Sequence, residues 1–248
     1  MRFQFKTSYN QDIRLFRDRV SASWYGLLAL AALALPVMLS EYYVGETTWV
    51  FIYAIGGISL MVLVGYTGLV SLGHAAFLGI GAYAHAFFLQ HGVPWVASVG
   101  LAVLITTASG LVVGLPALRM TGIYLAIATL AFAVIIQEVF SRWESVTHGF
   151  AGMPVAKPVI FGVPFEDDRS FYYLCLFFLV LALWLTRNLL RSPTGRAWIA
   201  IRDSEIAAQS MGVNLAIYKS MAFAYSAALM GLAVLITTAS GLVVGLPA

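Results

Sequence analysis

Residues 122–140 read GIYLAIATLAFAVIIQEVF, an apolar run that becomes polar only near its end. A helix of roughly 20 apolar residues is long enough to cross a hydrocarbon core about 30 Å thick. Comparable windows lie at about 22–40, 48–66, 70–90, 95–117, 122–140, 171–186 and 220–240. These runs are long and do not alternate between polar and apolar residues, which favours helices over strands. We therefore predict an all-α fold, a polytopic transmembrane helix bundle of about seven spans.

The composition excludes a soluble protein. The chain is 61% hydrophobic and only 10% charged, whereas soluble domains carry about 25% charged residues. The formal net charge of +3 does not indicate a nucleic-acid partner, because no basic stripe interleaved with aromatic residues is present. The lone Cys175 lies in an apolar run, which excludes an internal disulfide and a cysteine metal cluster.

The basic residues are distributed unevenly among the connections. If the N-terminus is cytoplasmic, segment 1–20, the turn at Arg119 and segment 187–219 together hold eleven Lys and Arg residues, against three in the outer segments. The outer segments are 40–47, 91–94 and 141–170. Since positive residues concentrate on the cytoplasmic side, we predict a cytoplasmic basic N-terminus. The run that follows it is long enough to span, so we interpret it as a retained helix and not as a cleaved signal.

A transmembrane domain is predicted over residues 21–231. It includes an external loop, 141–170, and a cytoplasmic loop, 187–219. The external loop carries an acidic cluster at 166–168. Two interpretations of it stay open: a docking surface for an external partner, and a solvated connector.

An identical repeat occurs at the C-terminus. Residues 101–117 recur unchanged at 232–248, and with the preceding glycine each copy reads GLAVLITTASGLVVGLPA. Structural repeats in transporters are only weakly similar in sequence, so we interpret this identity as a recent duplication or a sequence-assembly join. The uncharged stretch 220–248 would measure about 43 Å as a helix, so we expect its last turns to protrude, fray or kink.

Small residues concentrate in two regions of the predicted bundle, the Gly-rich stretch 65–83 and the fourth span, where Gly110 and Gly114 form a GxxxG pair. Helices in lipid associate through close backbone approach, which small residues permit. In the Gly-rich stretch Ser71, Ala75 and Gly79 recur at a spacing of four. The candidate pathway or helix-packing residues are Gly65, Gly68, Ser71, Gly73, His74, Ala75, Gly79, Gly81, Gly110 and Gly114. Residues 65–90 are interpreted either as one helix or as a broken, partly re-entrant segment.

Ionisable residues within the apolar runs are few. His74 is interpreted as satisfied by a neighbouring backbone carbonyl, the alternatives being a pathway lining or a cap on a broken helix. Glu138 lies one turn before Arg142 and is expected to form an i,i+4 pair with it. Ion-coupled carriers need buried charged residues to bind their ion, and this sequence offers no such set. We therefore expect the energy to come from a partner, or the protein to be a passive pore.

Neither catalysis nor nucleotide binding is indicated. His85, His91 and His148 lack metal-ligand spacing with acids or cysteines, so a membrane-embedded enzyme is not supported and no cofactor or metal is expected. A P-loop needs GxxxxGK followed by Ser or Thr, and this pattern does not occur in the 248 residues of the sequence. If ATP drives this protein, a partner must hydrolyse it.

The charged loop contains a predicted short helix, within GRAWIAIRDSEIAAQSMG at 195–212. Asp203 or Ser204 suits an N-cap, and Gly212 suits the C′ position. The helix is expected to present a small apolar face of Ala207, Ala208 and Met211. A helix of two turns is unstable alone in water, so it needs a surface, either a groove on an ATPase or the membrane itself.

Three stretches resemble permease subunits of the branched-chain amino acid ABC importer family, and the LivM-like branch fits best. They are GYTGLVSLGHAAFLGIGAYA at 65–84, PALRMTGIYLAIATLAFAVIIQEV at 116–139 and TGRAWIAIRDSEIAAQSMGVNLAIYKSMAFAYSAALMG at 194–231. The resemblance implies ATPase-coupling residues, namely Arg202, Asp203, Glu205, Ala207, Ala208 and Gly212. The loop departs from the family's E-A-A-x3-G pattern by one inserted residue, Ile206.

The resemblance also implies an assembly in the bacterial inner membrane. Its expected partners are two ABC ATPase subunits, a second related permease subunit, a periplasmic substrate-binding protein and membrane lipid. The expected cargo is a branched-chain amino acid or a related small amide such as urea. Family members continue through further helices after residue 231, and here the repeat stands in their place. A truncated or misassembled, non-functional permease is therefore the alternative.

Overall fold

The computed structural model describes residues 19–118, 120, 122–155, 159–160, 163–165, 167–234 and 242–243. The predictions for Arg119, for the first 18 residues and for most of the repeated tail lie outside this range. The α-helices are α1 Arg19–Met38, α2 Glu41–Leu60, α3 His74–Gln90, α4 Trp95–Ala117, α5 Ile123–Arg142, α6 Glu144–Thr147, α7 Asp168–Arg191, α8 Pro193–Asp203, α9 Glu205–Ser210 and α10 Leu215–Leu232. A π-helical turn, Met61–Tyr66, continues α2, and a 3-10 turn spans Gly149–Ala151.

The all-α prediction is confirmed. In the described residues the only strands form two antiparallel ladders of two residues each. One pairs β1 (Met153–Pro154) with β4 (Leu242–Val243), and the other pairs β2 (Val159–Ile160) with β3 (Val163–Pro164). These ladders lie in the loop before α7 and in the tail, so they do not alter the helical architecture.

Each predicted window contains one long helix. Five of these helices are long and apolar enough to cross a membrane: α2 with its π-helical turn, α4, α5, α7 and α10. The apolar part of α1, Ser23–Met38, is shorter, and α3 has 17 residues. The chain is therefore a multi-pass helical bundle, and the cytoplasmic side of its N-terminus stays a prediction.

Helix α10 lies at the centre of the bundle and packs most extensively against α4. Glycines on α4 permit this contact, because a Cβ atom at Gly110 would lie 2.5 Å from Ala227 Cβ, and one at Gly114 would lie 3.2 Å from Ser220 Cα. Farther along, a Cβ at Gly81 of α3 would lie 3.3 Å from Gly231 Cα. The GxxxG pair therefore brings α4 and α10 into backbone contact, as small residues do in membranes.

The second main contact joins α2 to α7. The Phe51 and Tyr172 rings pack with their centroids 5.1 Å apart, and the Tyr172 hydroxyl donates to the Ala32 carbonyl of α1 at 2.7 Å. Most of the surface of α7 is nevertheless exposed, as is most of that of α5, since each helix buries only 17% of its apolar window. Exposed apolar side chains on a membrane span face lipid or a partner helix, so this surface needs no cover from the chain itself.

The Gly-rich region is a broken helix, which settles the alternative that the sequence left open. The π-helical turn ends at Tyr66, and α3 does not begin until His74. Gly68 adopts a φ of +69°, a left-handed conformation that favours glycine. A Cβ atom at Gly73 would lie 1.9 Å from the Thr129 carbonyl oxygen, so the break packs directly on α5.

Candidate coupling loop and helix break

Helix α9 begins with a side-chain cap. The Ser204 hydroxyl accepts a hydrogen bond from the Ala207 backbone N–H at 3.2 Å, and Ser204 has an extended backbone with φ −163°. This is the geometry by which a serine satisfies an otherwise unpaired amide at a helix start. Of the two predicted caps, Ser204 is therefore the one used, and Asp203 instead ends α8.

Gly212 ends α9 as predicted. Its φ is +84°, its N–H donates to Gln209 O at 3.0 Å, and the Val213 N–H donates to Ala208 O at 3.0 Å. These two bonds form a Schellman motif, in which the C′ residue takes a left-handed conformation. Nothing lies within 4 Å of a Cβ built at Gly212, so the backbone conformation and not space explains the glycine.

A buried ion pair anchors α9 to the central helix. The Lys219 Nζ of α10 lies 2.7 Å from Glu205 Oε1, with the lysine side chain 1% exposed and the glutamate 34% exposed. In the sequence, Lys219 contributes to the positive charge of segment 187–219, and no partner is predicted for it. A lysine near the start of a long apolar helix, with an acid in the preceding short helix, is the signal that indicates the pair in retrospect.

Helix α8 is held against the bundle by Trp198. Its side chain is fully buried, and its indole N–H donates to the Tyr218 carbonyl at 2.9 Å. The Trp198 ring also lies 6.2 Å from the Tyr225 ring. An indole that is buried and hydrogen-bonded fixes both the position and the rotation of its helix.

Arg202 connects the loop to the helix break. Its Nη1 donates to the Gly65 carbonyl at 2.9 Å, and its Nη2 lies 3.2 Å from Asp203 Oδ1. A Cβ at Gly68 would lie 3.1 Å from Arg202 Cγ. Two segments that lie far apart in the sequence, the coupling loop and the Gly-rich stretch, are therefore in direct contact.

The predicted apolar face of α9 is divided in two. Ala208 is 3% exposed and packs inward, whereas Met211 is 87% exposed and Ala207 is also exposed. The inserted residue Ile206 joins the outer surface at 81% exposure. The prediction of one face made of Ala207, Ala208 and Met211 is thus wrong, because α9 uses Ala208 to pack on the chain and presents Ile206 and Met211 outward.

His74 lies at the start of α3 in a polar cluster. Its Nε2 lies 2.6 Å from Ser59 Oγ and 2.8 Å from Ser226 Oγ, and Ser59 Oγ donates to the Ser226 carbonyl at 2.6 Å. The interpretation that a backbone carbonyl satisfies His74 is wrong, because its Nε2 contacts two serine hydroxyls, one from α2 and one from α10, and its Nδ1 has no hydrogen-bond partner among the described residues. This cluster joins three helices at the helix break.

The predicted stripe at spacing four does not form one packing face. Ser71 precedes α3, Ala75 is exposed, and only Gly79 packs closely, with its built Cβ 3.0 Å from Phe140 Cε2. The exposed surface of the break consists of residues in the break and in the helix ends that flank it, namely Val64, Gly65, Gly68, Leu72 and Ala75. The buried surface, including Ser71 and Gly73, faces the bundle.

The other ionisable groups that the sequence singled out are one acid–base pair, the candidate metal ligands and the lone cysteine. Glu138 and Arg142 form the predicted i,i+4 pair at the end of α5. Among the described residues, no group of three His, Cys, Asp or Glu side chains could hold a metal ion. Cys175 is buried in the core beside other apolar residues.

Comparison with known proteins identifies a family. A family model described as branched-chain amino acid transport system / permease component matches residues 42–245. Two curated relatives carry the name high-affinity branched-chain amino acid transport system permease protein LivM, one from Salmonella typhimurium and one from Escherichia coli. Each is 36% identical over 231 residues, covering 83% of this chain and 54% of the relative. The chain spans about half the length of these relatives. No solved structure matches it.

Proposed function

The chain belongs to the family of branched-chain amino acid transport system permease components, and from this premise we propose that it is the membrane permease subunit of an ATP-driven importer. Its cargo would be a branched-chain amino acid or a related small amide. ATP hydrolysis would occur on two partner ABC ATPase subunits, because the sequence offers no P-loop. The other partners would be a second related permease and a periplasmic binding protein, assembled in the bacterial inner membrane.

The observation that carries this proposal is the construction of α9. A six-residue helix is capped at both ends and ion-paired to α10, yet it leaves two large apolar side chains almost fully exposed. Exposed apolar residues on a rigid, polar-rimmed element are typical of an interaction site. Ile206 and Met211 therefore form the surface on which we expect an ATPase subunit to dock.

Two contacts, one from α9 and one from α8, would carry a displacement of the loop into the bundle. The Glu205–Lys219 pair joins it to α10. Arg202, at the end of the neighbouring α8, holds the Gly65 carbonyl. The Ser59–His74–Ser226 cluster connects α10 to the same break. Both ends of the break thus depend on elements that the loop holds in place, which suits rigid-body transmission of ATPase movement.

We place the transport pathway along the exposed surface of the break. Gly65, Gly68 and Ala75 contribute small side chains or none to this surface, and Arg202 lies against Gly65 and Gly68. All three residues remain exposed in the single chain. A second permease subunit would close this surface. Non-helical backbone at membrane depth is tolerated where protein covers it or where it lines a water-filled cavity, and a pathway between two subunits provides both.

The test is a matched pair of methionine substitutions in cells that carry the complete importer. Met211 is 87% exposed immediately after α9, and Met38 is 83% exposed at the end of α1. The predicted topology puts Met38 on the opposite side of the membrane from Met211. We expect Met211→Glu to abolish co-purification of the ATPase subunits and uptake of labelled leucine, whereas Met38→Glu retains both. If Met211→Glu leaves ATPase co-purification and uptake unchanged, the coupling assignment is incorrect.

The cargo is tested separately by competition. In cells with the unmodified chain, excess isoleucine or valine should suppress uptake of labelled leucine, and excess urea or acetamide should not. Suppression by the amides alone would reassign the cargo while leaving the coupling assignment intact.

A further inference from the structure

Helix α3 begins at the helix break without a side-chain cap. Its first residue is His74, and its N-cap residue is Gly73, which has no side chain that could accept from the first turn. By contrast, Ser204 caps α9 and Asn214 caps α10. The first N–H groups of a helix have no partner within the helix. The backbone donors of His74 and Ala75 are therefore available to a ligand.

The hydrogen bonds of His74 determine which of its ring nitrogens carries the proton. The Ser59 hydroxyl donates to the Ser226 carbonyl at 2.6 Å, so the Ser59 oxygen can only accept from His74 Nε2, which lies 2.6 Å away. The side chains that contact His74 are those of Ser59, Ser226 and Phe77. These uncharged surroundings favour the neutral imidazole, which has one N–H. Nε2 therefore holds the hydrogen, and Nδ1 is a hydrogen-bond acceptor.

Two buried polar atoms at this helix start have no hydrogen-bond partner among the described residues. They are His74 Nδ1 and Ser71 Oγ, and the two residues are 3% and 6% exposed. Nδ1 is the ring nitrogen nearer to the backbone amides of the helix start, because it is bonded to Cγ, whereas Nε2 reaches toward α2 and α10. A buried polar group that is left unpaired destabilises the fold. These two atoms therefore indicate a ligand that pairs with both.

The helix start lies at the boundary between the buried and exposed surfaces of the break. Ser71, Gly73 and His74 are buried, whereas the intervening Leu72 and the following Ala75 are exposed. Each unpaired atom thus belongs to a residue that is next in sequence to an exposed one. A ligand on the exposed surface of the break, where we place the transport pathway, would therefore lie close to the helix start.

We propose that the start of α3 binds the carboxylate and ammonium groups of an α-amino acid, an inference that rests on the proposed transport of such a cargo. The carboxylate would accept hydrogen bonds from the His74 and Ala75 N–H groups and from the Ser71 hydroxyl, since helix N-termini favour anions. The ammonium would donate to His74 Nδ1. A small amide has no negative charge for the helix start, and a simple anion leaves Nδ1 without a donor. Only a zwitterion matches both parts.

The test compares leucine with two analogues that each lack one charged group. The full chain in detergent is incubated with tritiated leucine, and the competitor is leucinamide, which lacks the carboxylate, or 4-methylpentanoate, which lacks the ammonium. We expect unlabelled leucine to compete roughly tenfold more strongly than either analogue, because each analogue loses hydrogen bonds to a charged group. Equal competition by all three compounds, or no saturable binding of leucine, would overturn the proposal. Displacement of leucine by sodium chloride at an equal concentration would also overturn it, since the site would then be a general anion site.

Two variants separate the halves of the site. Ser71→Ala removes a donor to the carboxylate, so the preference for leucine over leucinamide should shrink while that over 4-methylpentanoate stays. His74→Gln keeps an N–H for Ser59 but removes the Nδ1 acceptor, so the opposite change is expected. His85→Asn, eleven residues farther along α3, is the control and should bind leucine like the unmodified chain. Unchanged preferences in both site variants would contradict the proposal.

Folding and transport are controlled separately. Should Ser71→Ala fail to fold, Ser71→Cys replaces it, because a thiol of similar size donates only weakly. The binding assay needs no ATPase, so its outcome is independent of the importer assignment. A chain that binds leucine with the expected selectivity but supports no ATP-driven uptake would contradict the importer and leave the site intact. Uptake of leucine by a complete importer whose permease chain binds none would overturn the site alone.

Discussion

The α4–α10 helix pair and the inner loop of α8 and α9 are held in place by opposite means. The helix pair relies on missing side chains, since glycines let two backbones touch. The loop relies on polar side chains that reach across from one element to another, such as Arg202 to Gly65 and Glu205 to Lys219. The comparison predicts that the α4–α10 contact is sensitive to added volume at its glycines, whereas the contacts of the loop with the bundle are sensitive to the loss of a polar partner.

The largest effect is expected from adding volume to the helix pair. In Gly110→Leu, the new Cβ would lie 2.5 Å from Ala227 Cβ, so α4 and α10 must separate, at a cost of about 3 kcal/mol or more. We expect loss of folded protein or a large fall in Tm, measured by thermal unfolding in detergent. Gly100→Leu is the control on the same helix, because nothing lies within 4 Å of that position. Equal falls in both variants would refute the packing account.

The next largest effect should follow from removing the partner of a buried charge. Glu205→Gln leaves the Lys219 ammonium, 1% exposed, without a carboxylate. Such a loss is expected to destabilise the fold by about 2 kcal/mol, reduced from the fully buried case because Glu205 itself is partly exposed. Thermal unfolding measures it, and adding Lys219→Met to Glu205→Gln should restore part of the loss. A double variant less stable than Glu205→Gln alone would contradict a dominant role for the unpaired charge.

A smaller, local effect is expected where only backbone conformation matters. Gly212→Ala forces a Cβ into a left-handed conformation at a cost of about 1 kcal/mol, with no steric clash. Hydrogen exchange of residues 205–213 should therefore speed up. Gly92→Ala, with φ +78° and equally open surroundings, should incur the same cost but leave exchange in α9 unchanged. Unchanged exchange in Gly212→Ala would show that the left-handed cap does not limit the opening of α9.

The smallest effect is expected from the helix cap. Ser204→Ala removes the acceptor for the Ala207 N–H and should destabilise α9 by roughly 0.5–1 kcal/mol. Faster exchange of the Ala207 amide measures the loss. Ser204→Asp should keep protection near the unmodified level, because a carboxylate also caps. If alanine and aspartate variants exchange alike, the cap is not limiting.

The sequence predicted what depends on local pattern and missed what depends on distance. Composition and spacings of a few residues predict the helices, the small residues Gly110 and Gly114 that pack on α10, the Ser204 cap and the end of α9 at Gly212. The Arg202–Gly65 bond joins residues 137 positions apart, and the His74–Ser226 contact joins residues 152 positions apart. No periodicity encodes such pairs, because they arise only when separate helices meet.

The division of α9 shows the same limit at short range. Composition identified a small apolar surface, but which of its residues turns inward depends on where α10 lies. Ile206, which the resemblance marks as inserted into the expected pattern, lies on the exposed surface. Orientation in the membrane rests on charge counting alone, since helix geometry is the same for either direction of insertion.

The continuity of α10 has a mechanical consequence. Its 18 residues form a rod of about 27 Å with Lys219 near one end and Gly231 at the other, wedged against Thr106 and Gly81. In the described range the rod contains no proline and no kink-forming π-bulge. A displacement of one end of α10 would therefore reach the other end with little loss to bending of the helix.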